Sequence, residues 1–326
     1  MKKVFLLTAL AVLLGVATAT AQQISVVNDG STTLYQNLQA AIEGASDGSV
    51  IYLPGGGFPI SDDVKIAKKL TIIGIGHKST NDNVDGFTNI AGNLFFIGGS
   101  DGSAVMGCRL NGKVYIGHDG SVGAAVNNIL VKCCNVNAVD SRANCENIVI
   151  SQNYIRSQSN IRGPGCLVTN NILHSLAELN SSTIGYNIFR GLAGGNYQSS
   201  IHVCKNSYFY NNIFTLNNSF DHGGENNQAN QNMFINYSWG DNAVNLTDCT
   251  WEDVFENWNG GAINPASNFH FKEDYRQYEN QVGVYANGVD FDKQIAPVPY
   301  IVAKKIDEQT DASGHLGIKV RVKAGD

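Results

Sequence analysis

One phrase built on asparagine recurs through the middle of the chain, and it limits the fold more than any other feature. It reads Ile-Val-Ile-Ser-Gln-Asn-Tyr-Ile at 148–155, Leu-Val-Thr-Asn-Asn-Ile-Leu at 167–173 and Thr-Ile-Gly-Tyr-Asn-Ile-Phe at 183–189. It returns as Tyr-Phe-Tyr-Asn-Asn-Ile-Phe at 208–214 and Gln-Ala-Asn-Gln-Asn-Met-Phe at 228–234. The anchoring residues are Asn153, Asn171, Asn187, Asn212 and Asn232, with Cys134 and Arg109 in their place in two degenerate earlier copies. Successive anchors lie 25, 19, 18, 16, 25 and 20 residues apart. A repeat of this length with variable insertions marks a solenoid.

The columns around the anchor decide which element repeats. Three before it stand Met106, Val131, Ile150, Val168, Ile184, Phe209 and Ala229, all apolar. Two after it stand Asn111, Val136, Ile155, Leu173, Phe189, Phe214 and Phe234, apolar in all but the first copy. The column two before the anchor is mostly small or polar. Alternation at period two on both sides is strand, not helix, so the Asn reads as a corner between two strands. Single coils are too thin to hold a core and must stack, strand on strand, about 4.8 Å apart. Each column then becomes a ladder, with Phe189, Phe214 and Phe234 one above another and each contributing roughly 1.5–3 kcal/mol on burial. The abundance of Asn (38) and Gly (35) suits a chain with many left-handed corners. The Asn amide is expected to bond to the Asn of the next coil.

Two further stretches make the likeness specific. Leu38-Gln-Ala-Ala-Ile42 followed by Ala45-Ser-Asp-Gly-Ser-Val-Ile-Tyr-Leu-Pro54-Gly resembles the opening of right-handed parallel β-helix proteins of the pectate-lyase-like superfamily. Pro265-Ala-Ser-Asn-Phe-His-Phe271, followed by Val282-Gly-Val-Tyr285, is similar to the last coil of many secreted bacterial members. The resemblance covers about 24–290 and implies an all-β fold, a single-stranded right-handed parallel β-helix. It implies no single activity, because the fold hosts lyases, hydrolases, esterases, adhesins and inert scaffolds.

The ends divide the chain. Lys2 and Lys3, the apolar run Val4 to Val16 and Ala19-Thr20-Ala21 form a signal peptide, 1–21, with no Cys at the cleavage point for a lipid anchor. Export to the periplasm, cell surface or medium follows. No later segment is long and apolar enough to span a membrane. Residues 22–290 are expected to form the β-helix with its N-terminal cap. That cap is a short helix begun by Ser31 or Thr32, carrying Leu34, Leu38, Ala41 and Ile42 on one face and ended by Gly44. The tail, 291–326, is expected to form a β-hairpin over 297–326. Within it Leu316, Ile318, Val320 and Val322 alternate with Gly317, Lys319, Arg321 and Lys323, covering the last coil or flank. Losing Lys2 and Lys3 takes the formal charge from −6 to −8, and only 15% of residues are charged, which argues against a nucleic-acid partner. Seven Cys in no zinc spacing read mostly as small buried hydrophobes.

Chemistry on such a fold belongs to outward residues on neighbouring coils. Three after the anchors lie Arg156, His174 and Arg190, a basic row on three consecutive copies and the candidate substrate-binding residues. Arg162 and Lys205 add to the positive balance of 147–220, a strip suited to carboxylates or sulfates of a glycan. Pectate-lyase-like elimination needs a calcium cluster of acids beside a base, and outward acids are scarce. Asp140, Arg142 and Glu146 form one mixed group in a turn. Polygalacturonase-like hydrolysis needs paired acids, of which Asp221-His222-Gly223-Gly224 is a faint echo. Tyr237, Trp239, Trp251 and Trp258 could stack on sugars, but Trp251-Glu-Asp-Val-Phe255 reads as a helical turn packing its rings inward. No catalytic set emerges. The sequence points to a monomeric, non-catalytic glycan-binding or structural module with acidic polysaccharide or surface glycan as partner. No cofactor is expected, and calcium only if the chain is a lyase. A polysaccharide lyase or glycoside hydrolase and an adhesin-like scaffold are the alternatives.

Overall fold

The computed structural model describes residues 23–60, 64–77, 86–118, 123–190, 200–215, 221–236, 238, 242–258, 263, 265–292, 300–306, 309, 313–315 and 317–323. The signal peptide, Tyr237, Trp239, Pro297 to Pro299 and Leu316 lie outside these residues. Short strands stack into long, mostly parallel sheets, consistent with a parallel β-helix. The first face runs through Val50–Tyr52, Thr71–Ile73, Ala104–Met106 and Leu130–Lys132, then through Val149–Ser151, Leu167–Thr169, Thr183–Gly185, Tyr208–Tyr210 and Gln228–Asn230. The second face runs in parallel steps from Gly56–Pro59 through Arg109–Leu110, Tyr154–Ile155 and Ile188–Phe189 to Asn232–Ile235 and Ala243–Leu246. Two four-stranded sheets, Val64–Ile66 to Val139–Ser141 and Ser159–Asn160 to Asp221–His222, complete the coils.

The inward columns are those expected. Ile150 pairs with Val168, Val168 with Ile184 and Ile184 with Phe209, all fully buried. Phe214 stacks between Phe189 and Phe234 at centroid distances of 4.7 and 5.1 Å, with the rings within 18° of parallel. The Asn ladder is also real. The Oδ1 of Asn171, Asn187, Asn212 and Asn232 each accepts the backbone N–H of the preceding anchor at 2.9 Å and a proton of that anchor's amide. Each Nδ2 also reaches a backbone carbonyl, such as Val168 from Asn187. The ladder satisfies amides sealed from water, where an unmade bond is costly.

Two details differ from the expectation. The left-handed residue is not the anchor but the one before it: Gly107, Cys133, Gln152, Asn170, Tyr186, Asn211 and Gln231, with φ between 52° and 65°. The anchor's amide is engaged inside the turn, while the residue before it makes the bend and points outward. Secondly, Val131 pairs with Val105, so the first copy is anchored on Cys108, not Arg109. Its inward residue is then Leu110, fully buried, which removes the exceptional Asn111 from the apolar column. The Cys108 and Cys134 thiols occupy the ladder position, and burial first of all pushes both thiols upward. A second, smaller ladder serves the opposite corner: Cys166 N–H donates to Ser182 Oγ, Ser182 N–H to Ser207 Oγ and Ser207 N–H to Asn227 Oδ1.

At the N-terminal edge Ser31–Tyr35 is a strand, not the start of a helix. It pairs antiparallel with Ile24–Asn28, which pairs antiparallel with Val50–Tyr52. The helix is shorter, Leu38–Gly44, and Asn37 caps it by accepting from Ala40 N–H at 2.8 Å. Leu38, Ala41 and Ile42 join the coil core, whereas Leu34 is exposed on the strand. Tyr300–Ile306 and Ile318–Lys323 pair antiparallel with each other.

The largest departure follows the last coil strand. Asn268–Phe271, expected as a closing coil, pairs antiparallel with Phe255–Asn257. This part of the chain turns back along the outside of the second face as a strap. The outward row there is apolar, reading Tyr154, Ile172, Ile188, Ile213 and Met233 on successive coils. Phe255, Trp258, Phe269, Phe271, Val282 and Phe291 pack on it to make a second core. Trp251–Val254 is the expected helical turn, and Trp258 meets Phe269 at 5.1 Å. Gly283 fits because it lacks a side chain: at φ 76°, a Cβ would come within 2.6 Å of Ile213. Asn170 Nδ2 donates to Val284 O, Asn211 Nδ2 to Gln281 O, and Gly283 N–H to Asn211 O, fixing the strap to the corner ladder.

Candidate functional site

The basic row exists as a backbone row. Arg156 N–H donates to Val136 O, His174 N–H to Ile155 O and Arg190 N–H to Leu173 O, so the three residues occupy one position on consecutive coils. Of the three side chains, that of Arg156 is engaged away from the row. The Arg156 guanidinium turns towards the N-terminal coils, where Nη2 donates to Leu110 O at 2.8 Å and Nη1 to the Asn135 side chain. Burial and then the neighbouring Arg190 charge push His174 below its ordinary value, so its ring is neutral at neutral pH. Arg162 pairs with Glu178, and Lys205 with Glu225 at 2.9 Å. Asp140 is a buried acceptor for Lys113 Nζ and Asn160 N–H. Asp221–His222 forms the last strand of its sheet beside Ile201–His202. Among the described residues, no group of three or more His, Cys, Asp or Glu could hold a metal ion.

A different site lies where the strap passes the last coils. A cleft of about 520 Å³ opens there, with Tyr186, Asn211, Gln231 and Asn242 from the coils and Asn280, Gln281 and Asn287 from the strap. Three of the coil residues hold the left-handed corner position, which is why their side chains face outward. Gln231, Asn280 and Asn287 carry no side-chain hydrogen bond among the described residues. Asn211 and Gln281 are held by carbonyls, and Asn242 Nδ2 by the Asn230 side chain. Tyr186 stands edge-on to Tyr210 at 5.2 Å, and Tyr210 stacks on Tyr208 at 5.3 Å, extending an aromatic patch from the cleft onto the first face.

Among the described lining residues are six side-chain amides and one phenol, and none of them is an acid or base of ordinary pKa near 7. An amide offers donors and an acceptor at fixed separation, and a phenol ring offers a flat apolar surface. Such a site can hold hydroxyls in fixed directions and stack a sugar ring. Reasoning from sequence missed it because the informative column, one before the anchor, supplies only half; the other half arrives from some 50 to 100 residues downstream.

Compared with protein-family models, with curated proteins and with solved structures, the chain matches none.

Proposed function

We propose that this chain is an exported, non-catalytic carbohydrate-binding β-helix, right-handed and of pectate-lyase-like form, that holds a neutral, hydroxyl-rich glycan in the amide cleft. The observation that carries the reading is the described lining: six side-chain amides around a tyrosine, between rigid coils and a strap anchored to them. Pockets that hold sugars without reacting on them need directional polar groups on a stiff frame more than charge. The corner ladder supplies that stiffness, since each left-handed residue is locked by the anchor behind it.

The test is a glycan array followed by titration calorimetry on the strongest neutral hit. Binding is expected to be nearly independent of salt, because no ion pair forms. Tyr186→Ala and Gln231→Ala are each expected to weaken it by about tenfold, the effect of one lost stacking or hydrogen-bonding partner. Failure to bind any neutral glycan, or binding untouched by both substitutions, rejects the reading. Release of reducing or unsaturated ends from any polysaccharide would reject its non-catalytic part.

A further inference from the structure

The outward row of the second face changes character along its length. From Tyr154 onward it is apolar and lies beneath the strap, but over the earlier coils it reads Gly57, Asn89 and Arg109 in register. A second cleft, of about 450 Å³, opens at this end, floored by Gly56 and Gly57 and walled by Phe87, Asn89, Arg109 and Asn111. The Arg109 guanidinium carbon lies 5.5 Å from the centroid of the Phe87 ring, an arrangement that orients the group. Arg156 comes up behind it, fixed to Leu110 O and Asn135. Two positive charges therefore converge, and burial together with the Arg109 charge pushes Arg156 below its ordinary value. Among the described lining residues there is no carboxylate to answer them.

One more atom is unanswered. Among the described residues the Oδ1 of Asn89 is buried without any hydrogen-bond partner. A buried acceptor of this kind calls for a donor, just as the guanidinium pair calls for an oxyanion. The floor is also shaped for an occupant: a Cβ on Gly57 would meet no heavy atom within 4 Å, so the space above it is open.

We propose that this cleft binds a hydroxycarboxylate group, its carboxylate on Arg109 and its hydroxyl donating to Asn89 Oδ1. A carboxylate matches the planar edge of a guanidinium, which favours it over a monatomic anion. Asn111 is placed to meet a further oxygen. The inference is independent of the amide cleft, at the other end of the strap.

Calorimetry with gluconate and, separately, with sialyllactose tests it, with glucose as the uncharged control. One acid per chain is expected to bind, more weakly as salt rises, and glucose not at all. Arg109→Gln and Gly57→Leu, each with an unchanged melting temperature, are expected to lower affinity by at least about tenfold, the first by removing the charge and the second by filling the space. Tyr186→Ala is expected to leave it unchanged. The tighter of the two acids tells whether the group is read as a free molecule or at the end of a glycan. Failure of both acids to bind, or unchanged binding in the two folded cleft variants, overturns the proposal.

Discussion

Asn187 shows what a single residue does in this architecture. Its Oδ1 accepts from Asn171 N–H and Nδ2, and its own Nδ2 donates to Val168 O, Gly185 O and Asn212 Oδ1, all without access to water. Replacing it by Ala leaves the buried Asn171 N–H without its acceptor and takes one donor from Val168 O and from Gly185 O, the latter still bonded to Asn170 N–H. At about 1–3 kcal/mol for an unsatisfied buried group, Asn187→Ala is expected to cost on the order of 1–3 kcal/mol. Stacked coils unfold less cooperatively than globular domains, so local amide exchange is a better readout than one melting curve. The Asn171 N–H is expected to exchange markedly faster in the variant, while amides near Ile72 stay protected; uniform loss of protection would mean the ladder is not a local device. The anchor column was legible at this scale because only Asn recurs in it. The slip at Arg109 arose where neither candidate was Asn. The burial of Leu110 settles that register, and its own inward position depends on coil pairing that composition does not encode.

At the scale of elements, strands and corners could be read because each coil repeats the same inside and outside pattern. The strap could not. Its apolar residues satisfy a surface, the outward row from Tyr154 to Met233, that an isolated coil would turn to water, and nothing local distinguishes that row from an exposed one. The amide cleft was hidden for the same reason, whereas the Arg156, His174 and Arg190 row was visible because backbone register alone defines it. What holds the strap's far end can be tested by pH. The His270 ring stacks on Tyr285 at 3.9 Å, with Asp292 at 2.9 Å from Nε2, Glu279 at Nδ1, and Arg276 3.8 Å from the other Glu279 oxygen. Burial alone would lower its pKa, but the bonds and charges of Glu279 and Asp292 outweigh this and raise it above the ordinary 6.5. A pKa raised on folding gives stability that is complete below the unfolded value and fades as pH rises through the folded one. Strap attachment is therefore expected to be firmest in mild acid and to loosen as pH climbs through the raised value above 6.5. Trp258 fluorescence and amide exchange over 268–285 would follow it. His270→Gln is expected to flatten the dependence; an unchanged profile in that variant would assign it elsewhere.

On the scale of the whole molecule, a stack of coils has two kinds of exposed liability, its terminal strand edges and any apolar row on its outside. The antiparallel pair Ile24–Asn28 and Ser31–Tyr35 occupies the first-face edge, and the strap occupies the apolar row. Ending the chain after Leu246 would uncover Tyr154, Ile172, Ile188, Ile213 and Met233, five successive rungs spanning about 19 Å at the strand spacing. Contiguous apolar surface of that kind promotes association. The shortened chain is expected to keep its parallel coils, with unchanged far-ultraviolet circular dichroism, but to self-associate by light scattering. The Ala243–Leu246 edge could also drive pairing between copies, so the cause needs a second variant. Ile188→Lys with Ile213→Lys in the shortened chain places charge on the row and leaves that edge untouched. If the row is responsible, the double variant returns to a monomer. If association persists, the edge is responsible, and the strap's purpose is then to wall the amide cleft with Asn280, Gln281 and Asn287 rather than to keep the flank from sticking.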